Sequence, residues 1–243
     1  MRFRAAAVVI PAHNEEELLP TCLAAVSIAA GQPQLAGVHV LTVVVADACR
    51  DRTADIARQA GALVVPAHGP NPGKARAIGT ERALRELGTP DSETWIAATD
   101  ADSEVPPQWL VHHAQSAAEG WEAVVGTVTV RTTAAVARRH QADYEATRPR
   151  DGAPWQHPHV HGANLGLTAR AYCDIGGFLP LDVGEDRALV AALESRGHRV
   201  LRSAVSPVVT SARPHGRARA GFANHMAALL SGPPPAADEE SAS

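Results

Sequence analysis

Basic residues are in short supply. Lysine and arginine together number 22 against 26 aspartates and glutamates, so the formal net charge is −4. Asp238, Glu239 and Glu240 hold three of those charges, leaving the rest of the chain close to neutral. No basic excess points to nucleic acid or to an anionic membrane surface. Cysteine is scarce too. Cys22, Cys49 and Cys173 lie far apart and form no C-x-x-C pair and no disulfide framework, as suits a reducing cytosol. No segment reaches the roughly eighteen consecutive apolar residues that a membrane span requires. The AAAVVIPA run near the N-terminus is too short for a signal-peptide core, and it breaks into Pro11 and Glu15-Glu16-Glu17. It reads as a buried first strand, and the chain as a soluble, cytoplasmic protein with no integral membrane segment.

Two nucleotide-binding signatures are also missing. No G-x-G-x-x-G follows the first strand, which argues against a dinucleotide site. Gly69-Pro-Asn-Pro-Gly73-Lys74-Ala75 resembles a P-loop only faintly. It is one residue short, and Ala75 stands where Ser or Thr would hold magnesium.

What is present is apolar and regularly punctuated. At 243 residues and 45% hydrophobic, the chain is long enough for one large α/β domain or two small ones. Short apolar runs at Ala5–Ile10, Val38–Ala46, Ala62–Val65 and Trp95–Thr99 lack polar alternation, which suits parallel strands buried on both faces. Helical patterns separate them at Glu15–Ala29, Thr53–Gln59 and Lys74–Leu87, with Asn14 and Glu17 resembling a capping pair. This alternation implies an open, mostly parallel, doubly wound sheet, in which ligands bind beyond the carboxyl ends of the strands.

The second half is less regular. Pro106–Ala118, Thr133–Thr147, Gly184–Arg196 and Ala220–Leu230 read as helices. Ala123–Val130 reads as a strand, residues 198–210 as one or two short strands, and Arg148–His161 as a loop. Ser231–Ser243 has the composition of a disordered tail. A single domain over 1–230 followed by that tail is the expected organisation.

Several residue groups suggest chemistry. Asp100 and Asp102 lie two apart, just past a hydrophobic strand, where two carboxylates can face one hard divalent cation. The same pair also suits a polar turn with Asp102 as a helix cap. Glu185-Asp186 opens a helix, where acidic side chains complement the helix dipole, or where one of them serves as a base. Arg213, His215, Arg217 and Arg219 form a basic cluster in a slightly acidic chain. The alternate histidines His157, His159 and His161 would share one face of a strand, but no cysteine is near to complete a structural zinc site.

The order of VVIPAHNEEELL, VVVADACRDRTADIA, GKARAIGTERAL, WIAATDADSEVPPQWL, HGANLGLTARAYCDIGGF and GEDRALVAAL resembles a family 2 glycosyltransferase of the GT-A fold, over roughly residues 7–220. The resemblance implies transfer of a sugar from a nucleotide-diphosphate sugar, a UDP-sugar above all, to an unknown, small or soluble acceptor. It also implies inversion of configuration and a Mn²⁺ or Mg²⁺ ion. It assigns Pro11, Ala12, Asn14, Glu15, Asp47, Lys74, Asp100, Arg213 and Arg217 to the donor nucleotide. Asn14 serves as well as a plain helix cap, and Lys74 as a solvated surface residue. Asp102 and His215 fall to the metal, with Asp186 as base beside Glu185. Trp155, His161, Gly162, Ala163 and Asn164 fall to the sugar and acceptor pocket, although Trp155 would equally serve as core.

One stretch departs from the pattern. The usual D-D-G-S-x-D-x-T is here Ala46-Asp47-Ala48-Cys49-Arg50-Asp51-Arg52-Thr53, without the first Asp and the Gly. A sugar-phosphate nucleotidyltransferase is disfavoured, because PAHNEEELL after the first strand is acidic and has no glycine. A non-catalytic nucleotide-sugar binder is disfavoured because both D-x-D and E-D are retained.

Overall fold

The computed structural model describes residues 3–151, 155–211 and 213. The final helix at 220–230, the tail, His215 and Arg217 lie outside the described residues. So does the part of the 1–230 domain beyond 213.

The described chain forms one eight-stranded sheet between two helical layers. Its strands are β1 (Ala5–Ala12), β2 (His39–Asp47), β3 (Leu63–Ala67), β4 (Thr94–Ala98), β5 (Ser103–Glu104), β6 (Ala123–Arg131), β7 (Leu165–Thr168) and β8 (Val200–Ser211). The spatial order is β3-β2-β1-β4-β7-β6-β8-β5. β1 pairs in parallel with β2 and β4, β2 with β3, and β6 with β8. The short β7 runs antiparallel between β4 and β6, and β5 antiparallel to β8, so the sheet is mostly but not wholly parallel. All five residues of β4 are buried, and so are residues 5–10 of β1. Burial on both faces is why these strands are uniformly apolar.

Helices α1 (Leu19–Ala30), α2 (Thr53–Gln59) and α4 (Trp109–Ala118) cover one face, where Leu19, Leu23 and Val26 pack with Trp109 and Leu110. On the other face, α3 (Pro72–Leu87) lies against β1 and β2. α6 (Ala169–Asp174) and α7 (Glu185–Ser195) cover β4, β7 and β6 there. α3 approaches closely because Gly79 has no Cβ. One built there would stand 2.7 Å from methyls of both Val9 and Val45. α5 (Ala134–Glu145) follows β6 and packs on it. Among the described residues no helix is long and apolar enough to cross a membrane.

Two local expectations are corrected. The first helix starts at Leu19, not Glu15, and Asn14 does not cap it; Asn14 sits in a turn at φ +53°. Pro20 accounts for the late start, since proline is favoured in a first helical turn, where its missing N–H costs nothing. Residues 198–210, read as one or two short strands, hold a single long one, the twelve-residue β8 (Val200–Ser211), with an irregularity opposite Gly126–Val128.

Candidate active site

A cleft of about 570 Å³ opens at the carboxyl ends of β1, β2 and β4. Its volume is in the range of small-molecule sites, which is about 300–1,000 Å³. It gathers Pro11, Ala12 and Glu15 after β1, Asp47 at the end of β2, and Asp100 and Asp102 after β4. Glu185, Asp186 and Arg187 come from the start of α7, Gly162 and Ala163 from the turn before β7, and Arg213 from beyond β8. Carboxylates outnumber guanidiniums in its lining.

Asp47 is nearly fully buried. One of its carboxylate oxygens, Oδ2, accepts the backbone N–H of Asn71 at 2.9 Å, while Oδ1 is buried with no partner. A buried acceptor without a donor costs about 1–3 kcal/mol, so this atom is poised for a ligand N–H. His13 donates from Nδ1 to the Asp47 carbonyl at 2.6 Å, and its Nε2 accepts from Asn14 at 3.2 Å. Asn14 Oδ1 in turn accepts the Arg50 N–H at 2.7 Å. Asn14 therefore ties the β1 and β2 loops together and does not line the cleft. Ala48, at the position where the family pattern has glycine, adopts φ +49°. That left-handed conformation is the one glycine adopts without strain.

At the centre stands Arg76, which the sequence reading passed over. It is buried, and it ion-pairs with Asp100 on one side and Glu185 on the other. Burial pushes the Asp100 carboxyl up to about 6 against the pull of Arg76, with Asp102, Glu185 and Asp186 adding to the push. Glu185 is raised as well, by burial, again opposed by Arg76. The same guanidinium fills the space beside Gly162, where any Cβ would collide with it. Lys74, the expected phosphate contact, is exposed and does not line the cleft. Residues 74 and 76 are about 200° apart around a helix, so only one of them can face the sheet.

Asp186 is held at both oxygens. Gly162 N–H donates to Oδ2 at 2.9 Å, and its neighbour Arg187 N–H donates to Oδ1 at 2.7 Å. Glu185, in contrast, is committed to Arg76. Gly184 gives α7 a left-handed N-cap at φ +81°, and the acidic first turn complements the helix dipole.

Asp102 remains half-buried in the cleft. Its Oδ2 accepts from Arg213 Nη2 at 2.9 Å, and the same nitrogen reaches the two Glu15 oxygens at 2.8 and 3.0 Å. A cation is thus already drawn between these two acids. Among the described residues no group of three or more candidate ligands converges. The set fits an ion that takes one or two protein carboxylates and fills its shell from water and substrate phosphate, as Mg²⁺ usually does.

Other expected pocket residues lie elsewhere. Asn164 is buried and turned into the core. It accepts from Trp109 Nε1 at 2.9 Å and donates to the Thr127 and Ser206 carbonyls at 2.8 and 2.9 Å. Trp155 packs edge-on against Tyr144 under the Arg148 guanidinium and does not line the cleft. His161, Gly162 and Ala163 do line it. The rings of His157, His159 and His161 stack in series, at 6.0 and 6.4 Å between centroids.

A parallel-rich sheet under two helical layers, with acidic strand ends opening on one cleft, is the GT-A arrangement of nucleotide-sugar enzymes. The family model for glycosyl transferase family 2 matches residues 7–175, and the chain belongs to that family. No curated protein matches it significantly in sequence.

Solved structures share the fold. The mannosyltransferase PcManGT of Pyrobaculum calidifontis, in complex with GDP-Man and Mn²⁺, superposes with a TM-score of 0.64 at 21% identity, over 89% of this chain and 59% of that one. Glucosyl-3-phosphoglycerate synthase of Mycobacterium tuberculosis, in complex with Mn²⁺, UDP and phosphoglyceric acid, gives 0.61 at 19%, over 93% and 77%. S. aureus TarS 1-349 gives 0.61 at 13%, over 86% and 60%. The chain thus spans about three fifths of the length of two of these three proteins.

Proposed function

We propose that this protein transfers a sugar from a nucleoside-diphosphate sugar, a UDP-sugar first among them, to an acceptor hydroxyl, with inversion at the anomeric carbon. One observation carries the reading. Arg76 joins the aspartate after β4 to the first turn of α7, so the donor end of the cleft and Asp186 belong to one connected constellation.

The unpartnered Asp47 Oδ1 suits an N–H on the edge of a base. Pro11 and Ala12 form the adjoining wall. Asp186 takes the proton of the acceptor hydroxyl as its oxygen attacks the anomeric carbon. The new carbon–oxygen bond forms as the bond to the diphosphate breaks, on the opposite face. The electron pair leaves on the diphosphate, where Arg213 lies within the same cleft to meet the charge. Asp102 would hold a Mn²⁺ or Mg²⁺ ion, with Glu15 beside it, and that ion would neutralise charge on the departing diphosphate. His215 and Arg217 extend this assignment to residues next in sequence.

Titration calorimetry with UDP-glucose, GDP-mannose and a TDP-sugar, each with and without Mn²⁺, tests the reading. The expected result is metal-dependent binding of one donor, with slow release of its sugar to water. Absence of binding by all three rejects it.

A further inference from the structure

One residue on the rim of the cleft, Asn71, has no part in the reaction proposed above, yet it bonds to both ends of the site. Its backbone N–H donates to Asp47 Oδ2 at 2.9 Å, so it fixes the carboxylate assigned to the base. Its side-chain Nδ2 donates to Asp182 Oδ1 at 2.7 Å and to the Pro180 carbonyl at 3.1 Å, across more than a hundred residues of chain. Its Oδ1 accepts the Lys74 N–H at 2.7 Å, which makes Asn71 the N-cap of α3. Three polar groups of one residue thus go to three different places: a strand end, a helix start and a distant loop.

The loop it reaches is residues 179–183, all exposed, which lead through Gly184 into Glu185 and Asp186. The first turn of α3 seats directly against that loop. Gly73 N–H donates to the Leu181 carbonyl at 3.3 Å, and a Cβ on Gly73 would stand 2.2 Å from the Leu179 carbonyl oxygen. No side chain fits in that seam, so Gly73 marks the same contact independently of Asn71. Further along α3, Arg76 pairs with Glu185. One helix therefore grips the segment twice, at the rim through Asn71 and inside through Arg76. Between the two grips lie Asp182, Val183 and Gly184, which line the cleft together with Asp186.

We infer that Asn71 is a positioning residue for the transfer: it sets the spacing between the carboxylate that reads the base and the wall that leads into Asp186. This rests on the donor and base assignments proposed above. A donor seated against Asp47 presents its sugar to residues 182–186, and Asn71 ties the two places together. Misplacement by about 1 Å in such an arrangement can cost about 10²-fold in rate. Nucleotide affinity is spared, because Asp47 keeps its backbone donor whatever side chain residue 71 carries.

The variant N71D separates the tether from the cap. Aspartate caps a helix as well as asparagine does, and the backbone N–H to Asp47 remains. The amide donor is lost, however, and two carboxylates then face each other. The double variant N71D/D182N exchanges the partners and restores one donor and one acceptor to the pair.

Wild type and both variants are compared in two assays. One is hydrogen exchange of the 179–184 amides without ligand. The other is steady-state hydrolysis of UDP-glucose, GDP-mannose and TDP-glucose with Mn²⁺. In N71D the loop amides are expected to exchange about threefold faster or more, with the melting temperature retained. Its kcat on the donor that the wild type hydrolyses should fall about tenfold or more, with KM within about threefold. The double variant should recover much of both losses. An unchanged kcat in N71D, whatever its stability, or losses that the double variant does not relieve, overturn the inference. A wild type that hydrolyses none of the three donors strikes the donor reading and this inference with it. A working wild type beside an unimpaired N71D strikes the tether alone.

Discussion

Oδ2 of Asp186 sits 2.9 Å from the backbone N–H of Gly162, a residue that cannot carry a side chain because Arg76 occupies the space its Cβ would take. One glycine therefore serves two charges: it gives way to the buried guanidinium and aims the carboxylate. Asp186→Asn keeps the shape and removes the basicity. Transfer should fall by about 10² to 10⁴, the usual cost of losing a general base. Donor affinity measured by calorimetry should stay within about threefold of wild type by the same reasoning.

Arg76 should be the costliest of these residues to remove. Arg76→Met leaves Asp100 and Glu185 facing each other without their shared cation. Breaking a buried ion pair from one side typically costs about 3–5 kcal/mol. Urea denaturation should register a loss of that size. Arg76→Lys keeps the charge but not the planar fork, and should recover only part of it.

Asp102→Asn should leave the denaturation midpoint nearly unchanged and abolish the Mn²⁺ dependence of donor binding. Titration of the donor at fixed and varied Mn²⁺ separates the two effects. A variant that binds donor and metal as the wild type does would remove Asp102 from the metal site.

Ala48 stands where glycine would be unstrained. A non-glycine residue in the left-handed region costs roughly 1–2 kcal/mol, partly offset by the greater freedom glycine has when unfolded. Ala48→Gly is expected to stabilise the protein by up to about 1 kcal/mol, read as a higher urea midpoint with unchanged slope.

His113 is wholly buried between Trp95 and Trp109, and accepts from Trp95 Nε1 at 3.2 Å. Burial, with His112 beside it, pushes it down to about 3. Its folded pKa lies below the unfolded 6.5, so the unfolded chain takes up the proton first as pH falls. The stability contributed by the neutral ring is present above pH 6.5 and declines below it, by about 1.4 kcal/mol per pH unit, until the folded pKa is passed. Melting curves of wild type and His113→Gln between pH 7.5 and about 5 check this. The variant should lack that part of the slope.

The first four strands and the helices between them were legible because burial on both faces leaves apolar runs that only a parallel sheet explains. The places of Asp47 and Asp102 in the cleft were legible for a related reason: each stands at or just past the carboxyl end of such a strand, whereas Asp186 opens a helix. Arg76 was missed in favour of Lys74, yet a signal was there. Arg76, Gly79, Thr80 and Ala83 fall on one stripe of α3, all buried, and an arginine on that stripe has to face a charge. Asn164 misled in the opposite way. It neighbours the cleft in sequence, but a polar side chain one turn from a glycine can point either way, and here three core hydrogen bonds decide it. β7 is four residues long, too short for periodicity to reveal, and its antiparallel course depends on two neighbouring strands.

The two-residue strand β5 owes its place to a partner far along the chain. Ser103 pairs with Thr210, their hydroxyls meet at 2.9 Å across 107 residues, and the Ser211 N–H donates to the Asp102 carbonyl at 3.2 Å. During synthesis, β1 to β4 leave the ribosome early and have their core partners at hand. The Asp102 loop must wait for β8, because its register is written there. A nascent chain stalled before residue 200 would present β1 to β4 while the Asp102 loop lacked the strand that fixes its course. The loop that carries Asp102 thus takes its final course only after β8 has joined the sheet, late in the life of the nascent chain.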